Sequence, residues 1–477
     1  MPRFAFILST VILCLASNPL IGSPKNIVLF VVDDQGQDAG CYGNPIIQTP
    51  NLDQLAREGT RFDNAFCTTA SCSASRSVIL SGLQNHATGQ YGHMHGYNNF
   101  HSHTRVRSLP VLLSEAGYRT ASVGKYHVQP ESVYHFDRYL KGNQGGSRNP
   151  VTMANISEAF IRENPEQPFF LYFCTSDPHR GGGHAEDLPY KPNLFGNNQN
   201  YEGVTEVRYK PSEVIVPPYL PDTPECRAEL AQYYQSVSRI DQGLGRLIQI
   251  LKEHDQYDNT LILYLSDNGI AFPGAKTTLY DPGMKLPLVV RSPNQRERGL
   301  ATRAMVSWVD LTPTVLDFAG IQWEQLRHQN KPYRFHGRSF LKILSDSAPQ
   351  GWNTVYASHT FHEITMYYPM RVIRTPSYKY ILNLAHQLPY PFASDLYASP
   401  TWQGTIRSGA KKYGQRSIEA YLHRPRHELY NLEADPDEVV NLAEDPEFTQ
   451  TLQSLQSQLK AYQEATKDPW IVKYRYE

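Results

Sequence analysis

"NIVLFVVDD", residues 26–34, sets an unbroken apolar run against two adjacent acids. A run from Ile27 to Val32 without polar alternation fits a strand covered on both faces, the pattern of a parallel sheet between helices. The arrangement recurs. "RTASVG" (119–124) runs into Lys125-Tyr126-His127, "PFFLYFC" (168–174) into Ser176-Asp177-Pro178-His179, and "TLILYLS" (260–266) into Asp267-Asn268-Gly269. "LPLVV" (286–290) is a fifth strand-like run. Ligands of open parallel sheets bind outside the carboxyl ends of the strands, so these four ends predict one site. The expected class is α/β, a mostly parallel sheet sandwiched by helices.

The residue types at those ends define the chemistry. Asp33, Asp34, Asp267 and Asn268 form an all-oxygen donor set that suits Ca²⁺ or Mg²⁺ and, lacking His and Cys, suits zinc poorly. Adjacent carboxylates repel unless a cation holds them. Lys125, His127, His179 and Lys276 add positive charge and proton donors, which as a group describe a pocket for a tetrahedral oxyanion. Singly, each is an ordinary structural residue; the case rests on their convergence.

Composition sets the outer bounds. The chain has 477 residues, 40% hydrophobic and 19% charged, which suits a globular protein with a large core. Lys plus Arg number 45 against 46 for Asp plus Glu, so no global charge points to nucleic acid or to a membrane surface. "MPRFAFILSTVILCLASNPLIGSPK" reads as a signal peptide over residues 1–23, cleaved between Ala16 and Ser23, which makes the protein exported. The single sequon, Asn155-Ile156-Ser157, favours a periplasmic or secreted location over the lysosomal lumen. Beyond Cys14 of the signal lie Cys41, Cys67, Cys72, Cys174 and Cys226, an odd number without CxxC or His/Cys zinc spacing.

Leu230, Tyr233, Tyr234, Val237, Ile240, Leu244, Leu247, Ile248 and Leu251 recur at helical spacing after Thr223-Pro224, a capped helix start. Asp241 interrupts that face and reads as a hydrogen-bonded structural carboxylate. Residues 180–222 lack periodicity, and a loop of that length in a compact domain is functional or disordered. The composition shifts near 345–355. The expected division is a catalytic domain over 24–350 and a smaller α+β domain over 351–477 that contributes to the substrate pocket.

"CSASRSVILSG", from Cys72, resembles the signature of the sulfatase family, a cysteine and an arginine four residues on, followed by a helix ending in Ser-Gly. Ala74 stands where Pro is commoner. "VVDD", "VGKYH", "DPH" and "SDNG" follow the family order. "TGQYGHMHG", "SDNGIAFPGAKTTLY", "HEITMYYPMR" and "DPW" are similar to the heparan N-sulfatase (sulfamidase) branch, over about residues 25–475. The resemblance implies an alkaline-phosphatase-like fold with an antiparallel sheet in the C-terminal domain. It implies that Cys72 becomes formylglycine and completes the shell of one Ca²⁺ per chain with Asp33, Asp34, Asp267 and Asn268. Arg76 and Lys125 would steady the formylglycine and the sulfate; His127, His179 and Lys276 would contact sulfate or handle protons.

The implied activity is removal of N-linked sulfate from N-sulfoglucosamine at the non-reducing end of heparan sulfate or heparin fragments. A formylglycine-generating enzyme would be a maturation partner, and a homodimer the assembly. His86, His93, His95, His359, His362, Glu363 and Arg371 are candidates to line the sugar pocket. Alternatives are an O-sulfatase of another glycan, a phosphate or phosphonate ester hydrolase, and a non-catalytic glycan-binding relative.

Overall fold

The computed structural model describes residues 25–141 and 146–475; the expected signal peptide lies outside them. A nine-stranded sheet forms the centre. Its strands are β1 Asn26–Val32, β2 Thr60–Phe66, β3 Arg119–Gly124, β4 Arg138–Leu140, β5 Phe169–Cys174, β6 Thr260–Ser266, β7 Lys285–Leu286, β8 Leu288–Arg291 and β9 Leu300–Ser307. The order is β4-β3-β5-β1-β6-β8-β2-β7, with β9 beside β2. From β4 to β6 every pairing is parallel. This is the mostly parallel sheet that the apolar runs predict.

"LPLVV" departs from that expectation. Pro287 cannot donate a ladder hydrogen bond, and the segment breaks into β7 and β8; β8 runs antiparallel to β6. The sheet therefore changes character beyond β6.

Period-two alternation sorts side chains onto two faces. Ile27, Leu29 and Val31 join one apolar layer, while Val28, Phe30 and Val32 join the other. Tyr172 and Phe173 of β5 and Leu263 and Tyr264 of β6 divide in the same way. All seven residues of β1 are buried, which is why the strand reads as a continuous apolar run.

The helix Pro224–Glu253 serves both layers, with Tyr233, Tyr234 and Val237 in one and Ile240, Leu244 and Leu247 in the other. It starts as its sequence requires: the Thr223 side chain accepts from Cys226 N and Pro224 sits in the first turn. Asp241 accepts from the backbone N–H of Asn51 (3.1 Å) and Leu52 (2.8 Å), and so caps the helix Pro50–Glu58.

A second, antiparallel sheet joins Val355–His359, Met370–Arg374, Tyr378–Asn383 and His427–Asn431. Val355, Ala357, Val372 and Ile381 turn towards the main core. Ile373, Tyr380 and Leu429 face Leu455 and Leu459 of the helix Thr449–Ala465. Residues 175–223 hold no helix or strand, only an isolated His184–Asn193 bridge. The five cysteines among the described residues are unpaired.

Asp241→Ala would leave two backbone donors at a buried helix start without an acceptor. It should lower unfolding free energy by about 2 kcal/mol, read from urea denaturation.

Candidate active site

The site forms where four parallel strands end side by side. β1 delivers Asp33 and Asp34, β3 Lys125 and His127, β5 the turn to His179, and β6 Asp267 and Asn268. Backbone bonds lock these ends together: Asp33 N to Asp177 O (3.0 Å), Lys125 N to Cys174 O (2.8 Å) and Asp267 N to Val32 O (3.0 Å). Gly124 permits the second of these. Its φ is +84°, and a Cβ there would stand 2.0 Å from Cys174 O. Asp34 (φ 65°), His127 (φ 53°) and Thr277 (φ 69°) also occupy the left-handed region, a strain that such sites retain only when the surroundings enforce it.

Asp33, Asp34, Asp267 and Asn268 are all fully buried. Three side-chain cations face them. Arg76 Nε bonds Asp267 Oδ2 (2.8 Å) and its Nη2 lies 3.4 Å from Asp33 Oδ1. Lys125 Nζ reaches Asp33 Oδ2 at 2.5 Å, and Lys276 Nζ reaches Asp34 Oδ2 at 2.9 Å. Burial works against Asp33 ionising, yet Lys125, His179 and Arg76 hold its carboxyl well below the usual range. Burial lifts Asp267 well above that range, with Arg76 opposing and Asp33 and Asp34 adding to the rise. Burial disfavours the charged form of Lys276 too, but Asp34 and Asp395 hold it protonated.

The helix Cys72–Ile79 places Cys72 and Arg76 one turn apart on one face. Cys72 Sγ lies 3.6 Å from Asp34 Oδ1. Burial, with Asp33 adding to it, pushes the thiol well above its ordinary pKa, so it is no thiolate nucleophile as it stands. One ligand atom from each of Asp33, Asp34, Cys72 and His179 lies within 4.8 Å of the others. Asn268 Oδ1 is buried with no hydrogen-bond partner, although Asn268 Nδ2 donates to Asp34 Oδ1 at 2.6 Å. A buried amide oxygen without a donor, beside three crowded carboxylates, is what an oxygen-ligated divalent cation would satisfy. The residues fit such an ion.

Above this floor opens a cavity of about 720 Å³, within the roughly 300–1,000 Å³ of small-ligand sites. Lys125, His127 and His179 reach into it from the floor, and His93, His95, His362 and Glu363 line its walls. His179 Nδ1 donates to Arg180 O at 2.6 Å, which leaves Nε2 as its working atom, 3.7 Å from Asp34 Oδ2.

Three predicted wall residues are placed elsewhere. Arg371 is 1% exposed and pairs with Asp468 through both carboxylate oxygens, so its guanidinium is committed before any ligand arrives. His86 bonds Ser358 and Thr466, and His359 bonds Thr69. All three belong to the seam between the signature segment and the C-terminal sheet, not to the cavity lining.

Sequence reasoning missed two acids. Asp395, from "ASDLY", lines the cavity 3.5 Å from Lys276, and neither of its carboxylate oxygens has a hydrogen-bond partner. No strand end marks it in the sequence. Asp177, buried between Arg148 and Arg239, holds the turn that carries His179. Its position after β5 was the available signal.

A mostly parallel sheet whose strand ends gather buried acids that could hold a metal ion, with Lys and His side chains beside them, defines a hydrolase of the alkaline-phosphatase-like fold. The sequence model of the sulfatase family matches residues 25–321, and that of the N-sulphoglucosamine sulphohydrolase C-terminal region matches 274–401. Human N-sulphoglucosamine sulphohydrolase is 40% identical over 462 residues, 94% of this chain and 91% of that one. An ulvan-active sulfatase of Formosa agariphila is 30% identical over 95% of this chain and 83% of its own length. A structure solved with its substrate D-glucosamine-2-N,6-O-disulfate aligns with TM-score 0.65 at 22% identity, over 94% of this chain and 98% of that one. A phosphonate monoester hydrolase of Agrobacterium radiobacter aligns with TM-score 0.65 at 18% identity, over 93% and 96%. The last two establish the fold. The chain belongs to the sulfatase family, and it is a hydrolase.

The seam generates two predictions. Arg371→Ala strands the buried Asp468 carboxylate and should cost roughly 3–5 kcal/mol of unfolding free energy, whereas a surface sugar contact would cost almost none. Burial also holds His86 and His359 neutral down to about 3, and His336 down to about 4, against an ordinary value of 6.5. The unfolded chain therefore binds more protons below about pH 6.5. The stability from each residue is complete above that pH and falls by up to ~1.4 kcal/mol per pH unit on acidification towards pH 4. Thermal denaturation should show the midpoint falling over that window, with a shallower slope in His86→Gln.

Proposed function

We propose that the protein removes the N-linked sulfate from N-sulfoglucosamine at the non-reducing end of heparan sulfate or heparin fragments. The convergence of Cys72, Arg76, the buried acids and the two histidine-bearing strand ends beneath one cavity carries this reading. Similarity to the human sulphohydrolase along nearly the whole chain, and to that enzyme's C-terminal region in particular, supports the choice of substrate.

Asp33, Asp34, Asp267 and Asn268 would hold one Ca²⁺, with the side chain at position 72 at its edge. When present, the cation and the formylglycine made from Cys72 supply charge neutralisation and a hydroxyl nucleophile of sufficient acidity. Arg76 helps Lys125 and His179 hold Asp33 ionised and opposes the rise that burial imposes on Asp267, whose charged form a bound cation would favour. Lys125 and Lys276 present their ammonium groups to the sulfo oxygens. His179 would act as the acid when doubly protonated, with Nδ1–H on Arg180 O and Nε2–H given to the departing nitrogen; burial opposes that charged form and Asp34 and Asp33 favour it, and an amine leaves far more readily once protonated. His127 accepts a proton in the release step, and its Nε2 stands 2.9 Å from Nδ1 of the exposed His95, an exit towards solvent. Glu363 and Asp395 face the sugar hydroxyls from the C-terminal side.

Charge separates a sulfo group from a phosphate. With a divalent ion holding Asp267 in its charged form, four carboxylates (Asp33, Asp34, Asp267 and Asp395) would face three fixed cations (Arg76, Lys125 and Lys276). A divalent ion leaves one net positive charge there, which matches a monoanionic sulfamate better than a phosphate dianion. We further infer a division into 24–350 and 351–477, export through residues 1–23 to a periplasmic or secreted location, maturation by a formylglycine-generating enzyme, and a homodimer. Among the described residues no helix is long and apolar enough to cross a membrane.

The test is sulfate release from N-sulfoglucosamine, glucosamine 6-O-sulfate and an aryl sulfate, using protein co-expressed with a formylglycine-generating enzyme. Preference for the N-sulfated sugar is expected, and Cys72→Ala should lose at least about a thousandfold in kcat. Preference for the O-sulfate would overturn the substrate and keep the hydrolase.

A further inference from the structure

The cavity wall carries a second donor set of different chemistry from the acid floor. His93 and His95 come from the loop after the signature helix, His127 from the turn after β3, and His362 from the loop after Val355–His359. One ring nitrogen from each of His93, His95 and His127 lies within 4.8 Å of the other two. His95 Nδ1 and His127 Nε2 stand 2.9 Å apart. A tetrahedral ion with Zn–N bonds of about 2.0–2.1 Å separates its donor atoms by roughly 3.3 Å, inside the range these contacts span. Rotation of His95, the exposed member, can close the remaining gap.

Two further features fit a ligand set. His93 Nδ1 is buried without a hydrogen-bond partner. His93 Nε2 meets His362 Nε2 at 2.9 Å, and His362 Nδ1 meets Ser71 Oγ at 2.9 Å. That chain fixes the orientation of the His93 ring and leaves Nδ1 as its free donor, the supporting arrangement that ligating histidines use. Burial, aided by Lys276 and Lys125 at His93 and by Lys125 at His127, keeps these rings in the neutral form that binds metal. Glu363 on the same wall offsets part of the positive charge from the lysines. Imidazole nitrogens select Zn²⁺, Cu²⁺ or Ni²⁺ over the calcium-type ion that the oxygen set below prefers.

We propose that His93, His95 and His127 form a second metal site at the mouth of the cavity, selective for a zinc-type transition ion, whose occupancy shuts the enzyme down. The binding half stands on geometry alone. The inhibitory half rests on the proton-handling role proposed above for His127, which a bound ion would engage while obstructing the entrance.

The experiment uses calcium-loaded, formylglycine-bearing protein. Zn²⁺ is titrated by calorimetry, and Co²⁺ by visible absorption, whose intensity reports four- or five-coordinate nitrogen ligation. One equivalent of Zn²⁺ should bind with micromolar or tighter affinity. His95→Gln, at an exposed position, should weaken it at least about tenfold, and His362→Ala by roughly 10–100-fold through loss of ring support. Cys72→Ala should leave Zn²⁺ binding unchanged, because position 72 belongs to the floor. Absence of binding, unchanged affinity in His95→Gln, or Co²⁺ uptake lost only in Asp34→Asn would overturn the site. Sulfate release should fall as Zn²⁺ saturates the protein and recover with a zinc-selective chelator. Full activity at saturating Zn²⁺ would overturn the inhibitory half. Protein that hydrolyses none of the three sulfate compounds would sink the proposed function, while the Co²⁺ spectrum would still decide the metal site.

Discussion

Everything around the site answers to one constraint: Asp33, Asp34 and Asp267 are buried together at the ends of adjacent strands. Isolated buried carboxylates cost several kcal/mol each, and neighbours of like charge raise that cost. Arg76 relieves it from one side because the signature helix enters beneath β1 and β6 with its guanidinium between Asp33 and Asp267. Lys125 and Lys276 relieve it from two others. The position of Cys72 follows. A residue one helical turn before Arg76 on the same face can only stand over Asp34. The electrostatic need of the acids and the location of the reactive residue are thus one geometric fact.

The main sheet was legible because its central strands are covered on both faces and so read as continuous apolar runs. β2 ("TRFDNAF") and β9 ("LATRAMVS") escaped that reading, since half-buried positions of β2 carry Arg61, Asp63 and Asn64 and an exposed position of β9 carries Arg303. Pro287 hid the change from parallel to antiparallel pairing beyond β6. Within the site, the strand ends revealed the floor, where position in the chain and position in space coincide. The walls had no such marker. Arg371 looked free for a substrate because Asp468, its partner, lies 97 residues away in sequence. His86 and His359 were hidden in the same manner, their partners coming from segments that meet only when the C-terminal sheet packs on the core.

The seam and the floor use buried polarity differently. In the seam, Arg371 and Asp468 satisfy one another, and His86 is bonded through both ring nitrogens. Nothing remains for a ligand. On the floor Asn268 Oδ1 lacks a hydrogen-bond partner, and on the wall so do both oxygens of Asp395. Native structures leave few buried polar atoms unsatisfied, and each such atom calls for an explanation. At Asn268 Oδ1, beside three buried carboxylates, a cation supplies one.

This division also assigns chemistry and specificity to different parts of the fold. The charge cage hangs on four strands of the main sheet, tied by backbone bonds that no single side chain controls. Glu363 comes from a loop of the C-terminal region and Ser394 and Asp395 from the start of the short helix Ser394–Tyr397; Glu363 Oε1 accepts from Ser394 N and Oγ. Changes there can reshape the cavity without disturbing the buried charges. Asp395 is the exception. Its contact with Lys276 couples wall to floor, so any change of charge at Asp395 alters the field at the lysine that pairs with Asp34. Wall and floor are therefore electrostatically linked through Asp395 and Lys276.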